Sequence, residues 1–181
     1  PLVSADDHEA LDRTRAVLDA FPDRFAAHHL RGARAKLGLV SEVDTDRELF
    51  DALLEQMRAN AADFTSTFAG LAAVAESGIV PVGVAHLPAF RGWYESWLAR
   101  LQRDSGDRAD AVARMRRANP VVIPRNHRVE EALAAAEAGD PSVLDRLLAA
   151  LRDPFVDVPA NEPFRSGPPA GCGPYRTFCG T

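Results

Sequence analysis

The sequence predicts an all-α chain of about eight helices, because every long periodic segment repeats its apolar residues near 3.6 and none alternates strictly. Two further observations agree. Capping residues and glycines punctuate those segments at helix-like intervals, and the short apolar stretches that lack the helical period, 79–88 and 121–123, are interrupted or flanked by proline and glycine, which weakens a strand.

Ser4 with Asp7 marks a capped start, and Leu11, Val17, Leu18 and Phe21 give the first segment an apolar face. Pro22 is expected to end that helix and open a second one, with Phe25, Leu30, Ala33 and Leu37 apolar and Gly38 as the stop, so a helical hairpin is predicted. His28 and His29 are adjacent, point about 100° apart and are unsuited to chelating one metal ion. Thr45 with Glu48 reads as a capping box, opening a core helix striped by Leu49, Phe50, Leu53, Leu54 and Met57. Asn60 interrupts it, and Asp63 caps the next helix, which carries Phe64, Phe68, Leu71, Ala72 and Ala75 to Gly78. Thr65, Ser66 and Thr67 have no assigned base to activate them as nucleophiles.

Residues 79–88 read as a connecting loop into a helix with Phe90, Trp93, Tyr94, Trp97, Leu98 and Leu101 on one side, a spacing that signifies core packing. Asp107 to Ala118 forms a basic helix whose arginines make a solvated face. Beyond the central stretch described below, Gly139 suits a left-handed cap. Asp140 and Pro141 then serve as N-cap and first residue of a helix striped by Val143, Leu144, Leu147, Leu148 and Leu151. Residues 1–152 thus form one helical domain and 153–181 an extended tail. Six prolines and four glycines in those 29 residues preclude regular structure, with Phe155, Phe164, Tyr175 and Phe178 as anchors.

With 181 residues, 46% hydrophobic and 26% charged, the chain can bury a substantial core. A net charge of −5 argues against a general binder of nucleic acid or anionic membranes. Arginine far outnumbers the single lysine, Lys36, which reads as compositional bias. No run of about 18 apolar residues and no signal-peptide pattern is visible, so a cytoplasmic protein is expected. The opening without Met suggests a piece of a longer chain.

The unusual polar chemistry concentrates in Asn119-Pro120-Val121-Val122-Ile123-Pro124-Arg125-Asn126-His127-Arg128. The two prolines hold the valines and Ile123 extended, and Asn126 stands where a helix cap belongs, ahead of Glu130 and Glu131. Arg125, Asn126, His127 and Arg128 form either a structural corner, with Arg125 and His127 satisfying carbonyls of other segments, or a site for a carboxylate or phosphate.

The run NPVVIPRNHRVEEAL, then Gly139-Asp140-Pro141, Leu147-Leu148 and the ending Tyr175 to Thr181, YRTFCGT, resembles the C-terminal part of the selenoprotein O family (SelO, YdiU, UPF0061). Upstream, Lys36 to Leu39, Asp46 to Leu49 with Leu53-Leu54, and Asp63 to Phe68 are similar to the same family, so the resemblance covers almost the whole chain. One departure is Ala69-Gly70, where the family pattern carries an Arg after the Phe at 68.

The resemblance implies a protein adenylyltransferase with a kinase-like fold that transfers AMP from ATP, with magnesium, to hydroxyl groups of protein substrates. It implies that catalysis belongs to a preceding region and that this chain is a helical scaffold without catalytic, cofactor-binding or metal-binding residues of its own. In keeping with that, the chain has no GxGxxG, Walker-type, VAIK-like, DFG-like, HExxH or GxSxG motif. It also implies a redox role for Cys179, bonding to a cysteine of the catalytic region. Cys172 and Cys179 are too few for a disulfide framework or zinc site, and a thiol redox module using the two is a weaker reading. The principal alternative is a stand-alone all-α protein-interaction module without catalysis.

Overall fold

The computed structural model describes residues 6–78, 88–104 and 106–169, and among these residues the chain is helical with no strand. Helix α1 spans Asp7–Leu37, α2 Asp46–Ala59, α3 Phe64–Ser77, α4 Pro88–Arg103, α5 Arg108–Ala118, α6 Asn126–Glu137 and α7 Ser142–Arg152. A 3-10 turn, Pro159–Asn161, leads into the short α8, Glu162–Arg165. The predicted loop at 79–88 lies, apart from Pro88, outside the described residues, as do Cys172, Tyr175, Phe178 and Cys179.

Several boundaries follow the expected chemistry. Asp63 and Asp107 accept backbone N–H bonds at the starts of α3 and α5. Gly38 and Gly78 adopt left-handed conformations at the ends of α1 and α3, and Gly139 does so after α6. At Gly38 the need is also steric, since a Cβ would meet Met115 and the Ala111 carbonyl at 3.0–3.1 Å.

Four expectations are corrected. The hairpin at Pro22 is absent: α1 is one 31-residue helix with Pro22 inside it. Pro22 faces solvent, so its ring displaces no packed neighbour, and the helix continues without the N–H that would have reached Leu18. The cap of α1 is Asp6, which accepts from the Glu9 N–H, in place of the expected Ser4 and Asp7 pair. Thr45 makes no side-chain cap for α2; Asp46 reaches back to the Val43 N–H instead. The segment after residue 153 is not wholly irregular, because Pro159 and Pro163 occupy first-turn positions that need no N–H.

The helices bury two apolar clusters. The larger joins the C-terminal end of α1 to α2, α3, α4 and α5 through Leu37, Phe50, Leu53, Phe68, Trp97 and Met115 among others. Trp93 and Trp97 stack at 5.6 Å, with their indole N–H groups donating to the Leu49 and Leu37 carbonyls. The smaller cluster unites α6, α7 and α8 through Val122, Ala132, Leu147, Ala150 and Phe164.

A polar clasp that was not expected from the residue pattern lies at the rim of the larger cluster. Asp46, 1% exposed, receives Arg34 Nε and Arg100 Nε, each at 2.8 Å. Asp104 takes the Val40 N–H at 2.6 Å, the Ser41 N–H at 3.0 Å and the Ser41 hydroxyl, with Arg100 alongside. Burial alone would raise the Asp104 carboxyl, but the Ser41 and Val40 hydrogen bonds and Arg100 hold it down to about 2.

Candidate functional site

The central stretch runs along the junction of the two clusters and is tied down at three points. At its start, buried Asn119 donates Nδ2 to the Lys36 carbonyl at 2.9 Å. Lys36 answers by donating Nζ to the Ala118 carbonyl at 3.1 Å and to Asn119 Oδ1 at 3.3 Å. The same ammonium lies 5.7 and 5.5 Å from the ring centroids of Phe64 and Phe68, and burial lowers its pKa. In the middle, the prolines hold the strip extended, so the Val121 and Val122 N–H groups both reach the Pro154 carbonyl, at 2.8 and 3.2 Å.

The third tie is the corner itself. Arg125 is the residue preceding α6, and its extended backbone, φ −69° and ψ 129°, turns the side chain back toward α3. Its Nη1 and Nη2 donate to Asp63 Oδ2 and Oδ1 at 2.9 and 2.8 Å, a two-pronged ion pair. Asp63 accepts the Ser66 N–H at 2.8 Å as well, so a single carboxylate caps α3 and anchors α6. The Arg125 hydrogen bonds, opposed by burial and aided by Ser66, keep the Asp63 carboxyl far below the usual carboxylate range.

The structure separates the other three corner residues. Asn126 is exposed, is the first residue of α6 and gives no side-chain cap, so the cap expected there is a correction. The reason is geometric: the chain enters the helix one residue early, leaving Arg125 at the half-in position while Arg125 O accepts from the Arg128 and Val129 N–H groups. Arg128 is paired with Glu131 at 2.7 Å within α6. The His127 ring is half-buried, and burial first, then the charges of Arg128 and Arg125, lower its pKa against a smaller opposing pull from Glu131. Arg125 Nε, His127 Nε2 and Arg128 Nε are buried without a hydrogen-bond partner. Arg125 meets a carboxylate where carbonyls were expected.

Beside the corner, Ala69, Ala72, Ala73, Arg116, Val121 and Phe155 line a groove of about 450 Å³ between the clusters. The sequence reading missed the roles of Asp46, Asp104, Arg100 and Lys36; the uniqueness of Lys36 and the four-residue spacing of Arg100 and Asp104 were usable signals, whereas the links from Arg100 to Asp46 and from Asp104 to Val40 join residues far apart in the chain. Among the described residues no group of three or more His, Cys, Asp or Glu side chains is placed to hold a metal ion, and no helix is long and apolar enough to cross a membrane.

Comparison with known proteins supplies the context. A family model described as protein adenylyltransferase SelO matches residues 4–152. The protein nucleotidyltransferase YdiU of Geobacillus kaustophilus is 47% identical over 182 residues, that of Cereibacter sphaeroides 46% over 183 and that of Rhizobium etli 44% over 186. Each alignment covers 100% of this chain but 37% of the relative, so the chain spans little more than a third of the length of these proteins. With a matching family model over most of its length and relatives of this identity across all of it, the chain belongs to the SelO family of nucleotidyltransferases.

Proposed function

We propose that this chain is the C-terminal helical part of a SelO-type protein adenylyltransferase, and that it braces the region transferring AMP from ATP to protein hydroxyls. The observation that carries the scaffold reading is the Arg125–Asp63 pair. Both terminal nitrogens of Arg125 are engaged by a carboxylate that simultaneously caps α3. A guanidinium that bound phosphate would present that fork outward.

The corner does not fit a magnesium nucleotide. Its nearest carboxylates, Asp63 and Glu131, are each neutralised by an arginine, and the Nε atoms of both arginines are buried. ATP and magnesium therefore belong, in this reading, with the remainder of the polypeptide, as do contacts with protein substrates, in a cytoplasmic enzyme. Cys179 is proposed to form a reducible bond with a cysteine of that remainder while Cys172 stays free, which non-reducing peptide mapping of the full-length protein reads directly.

Transfer of label from ATP separates the possibilities. The full-length protein is expected to adenylylate proteins, whereas residues 1–181 alone show no magnesium-dependent nucleotide binding by calorimetry and no transfer. Transfer by the chain alone overturns the scaffold reading. In the full-length protein Arg125→Ala is expected to lower activity and melting temperature together; lost activity at an unchanged melting temperature makes the corner a ligand site instead.

A further inference from the structure

We propose that the apolar face of the first two-thirds of α1 is the seat on which the remainder of the longer polypeptide docks, an inference that rests on the chain being part of a larger transferase. Leu11, Val17, Leu18, Phe21 and Phe25 are between 53% and 63% exposed. At 100° per residue they fall within an arc of about 120°, the width of a face that a helix buries. Among the described residues the fully buried side chains of α1 begin only at Ala33, so residues 7–29 carry the helix about 33 Å past its packed end.

That face is not an isolated patch. Phe21, Phe25, His29, Phe50 and Phe68 form a ladder of ring contacts with centroids 6.0, 5.7, 5.6 and 5.8 Å apart, leading from the exposed stripe into the larger core. Val17, Phe21, Arg24, Phe25 and His28 line an open groove of about 300 Å³ along it. Among the described residues no side chain of α1 before Ala33 is buried, and a proline-interrupted helix with so little of its length packed is marginal in water, so its apolar face needs cover from elsewhere.

Area and linkage select the occupant. The five side chains expose on the order of 600 Å², short of the roughly 800 Å² per partner that holds a standard two-chain interface, so a second copy gains too little from this face alone. A segment of the same polypeptide loses no translational freedom on docking, and a seam of this size suffices for it. Relatives of which this chain covers 37% contain ample chain for the purpose.

Hydrogen exchange on the full-length protein at low concentration tests the proposal without any variant. Amides of residues 11–25 should exchange as slowly as those of 30–37, at least about tenfold slower than in a fraying helix, with the protein monomeric by mass. Fast exchange of 11–25 overturns the proposal, and so does protection that appears only as the mass doubles, which assigns the face to a second copy. Leu18→Ser with Phe25→Ser should restore fast exchange in 11–25 while leaving 30–37 protected; unchanged protection also overturns it. AMP transfer measured on the same preparation keeps the two readings apart: transfer without protection removes only the seat, and protection without transfer removes only the proposed activity.

Discussion

Asp63 carries two duties that substitution can separate. In Asp63→Ala the cap of α3 and the partner of a guanidinium whose side chain is 7% exposed are lost together. Because Asp63 itself is about one-third exposed and solvent screens the pair, a loss of about 2–3 kcal/mol is expected in urea unfolding, below that of a fully buried ion pair. Asp63→Asn keeps a capping oxygen and should lose less. Asn126→Ala should change stability by no more than about 0.5 kcal/mol, since this exposed side chain caps nothing. The sequence made Asn126 the natural cap because it identifies capping residues by type; the register of helix entry, set by where Arg125 finds its carboxylate 62 residues away, is not a local property.

His127 gives the same corner a pH signature. Its pKa in the folded chain lies below the ordinary 6.5, held there by burial and by the two neighbouring arginines, so the unfolded chain binds more protons as the pH drops past that value. The contribution is whole above pH 6.5 and is lost as the pH falls through the lowered value. Asp63, whose carboxyl is also depressed, begins to add its own loss only below the ordinary carboxylate value of 3.8. The melting temperature is therefore expected to decline as the pH falls below 6.5, before the carboxylates titrate, and His127→Gln should flatten that first decline.

At the scale of elements, helix identity was legible and helix ends were partly so. Glycine stops at 38 and 78 and the aspartate cap at 63 depend on one or two residues and a local conformation, which is why they could be read. Pro22 misled because a proline breaks a helix only when the surroundings cannot absorb its missing bond and its ring, and α1 is exposed at that point. The apolar stripe of residues 11–25 was equally legible as a helical face, yet burial within this chain did not follow, because periodicity reports that a face needs a partner without reporting where the partner is. Pro22→Ala restores one backbone hydrogen bond and removes a steric conflict worth about 3 kcal/mol locally. It should slow amide exchange across residues 15–25 and leave the global unfolding midpoint almost unchanged, since the larger core begins beyond that segment.

Across the described residues, a groove of about 450 Å³ lies between the two clusters, and polar ties span their junction. Asn119 binds the central stretch to the end of α1, and Arg125 binds the start of α6 to the start of α3. Both are buried, and each lies at one end of the same seven-residue strip, so together they fix how α6, α7 and α8 stand against the larger core. Removing one tie leaves the strip held by the other and by Pro154; removing both leaves, among the described residues, the Pro154 carbonyl, which belongs to the smaller cluster's own side, and at the strip's start the bond from Lys36 to the Ala118 carbonyl and that from the Asn119 N–H to the Met115 carbonyl. A chain whose parts are fixed by two independent ties should unfold in one cooperative step, and calorimetric and van't Hoff enthalpies should agree. In Asn119→Ala with Arg125→Ala the smaller cluster, built on five buried side chains among the described residues, should melt separately and first. Scanning calorimetry should then resolve two transitions, with the Trp93 and Trp97 fluorescence following only the later one. A single transition, shifted but still cooperative, would place the coupling in the apolar contacts of the junction instead of in the two ties.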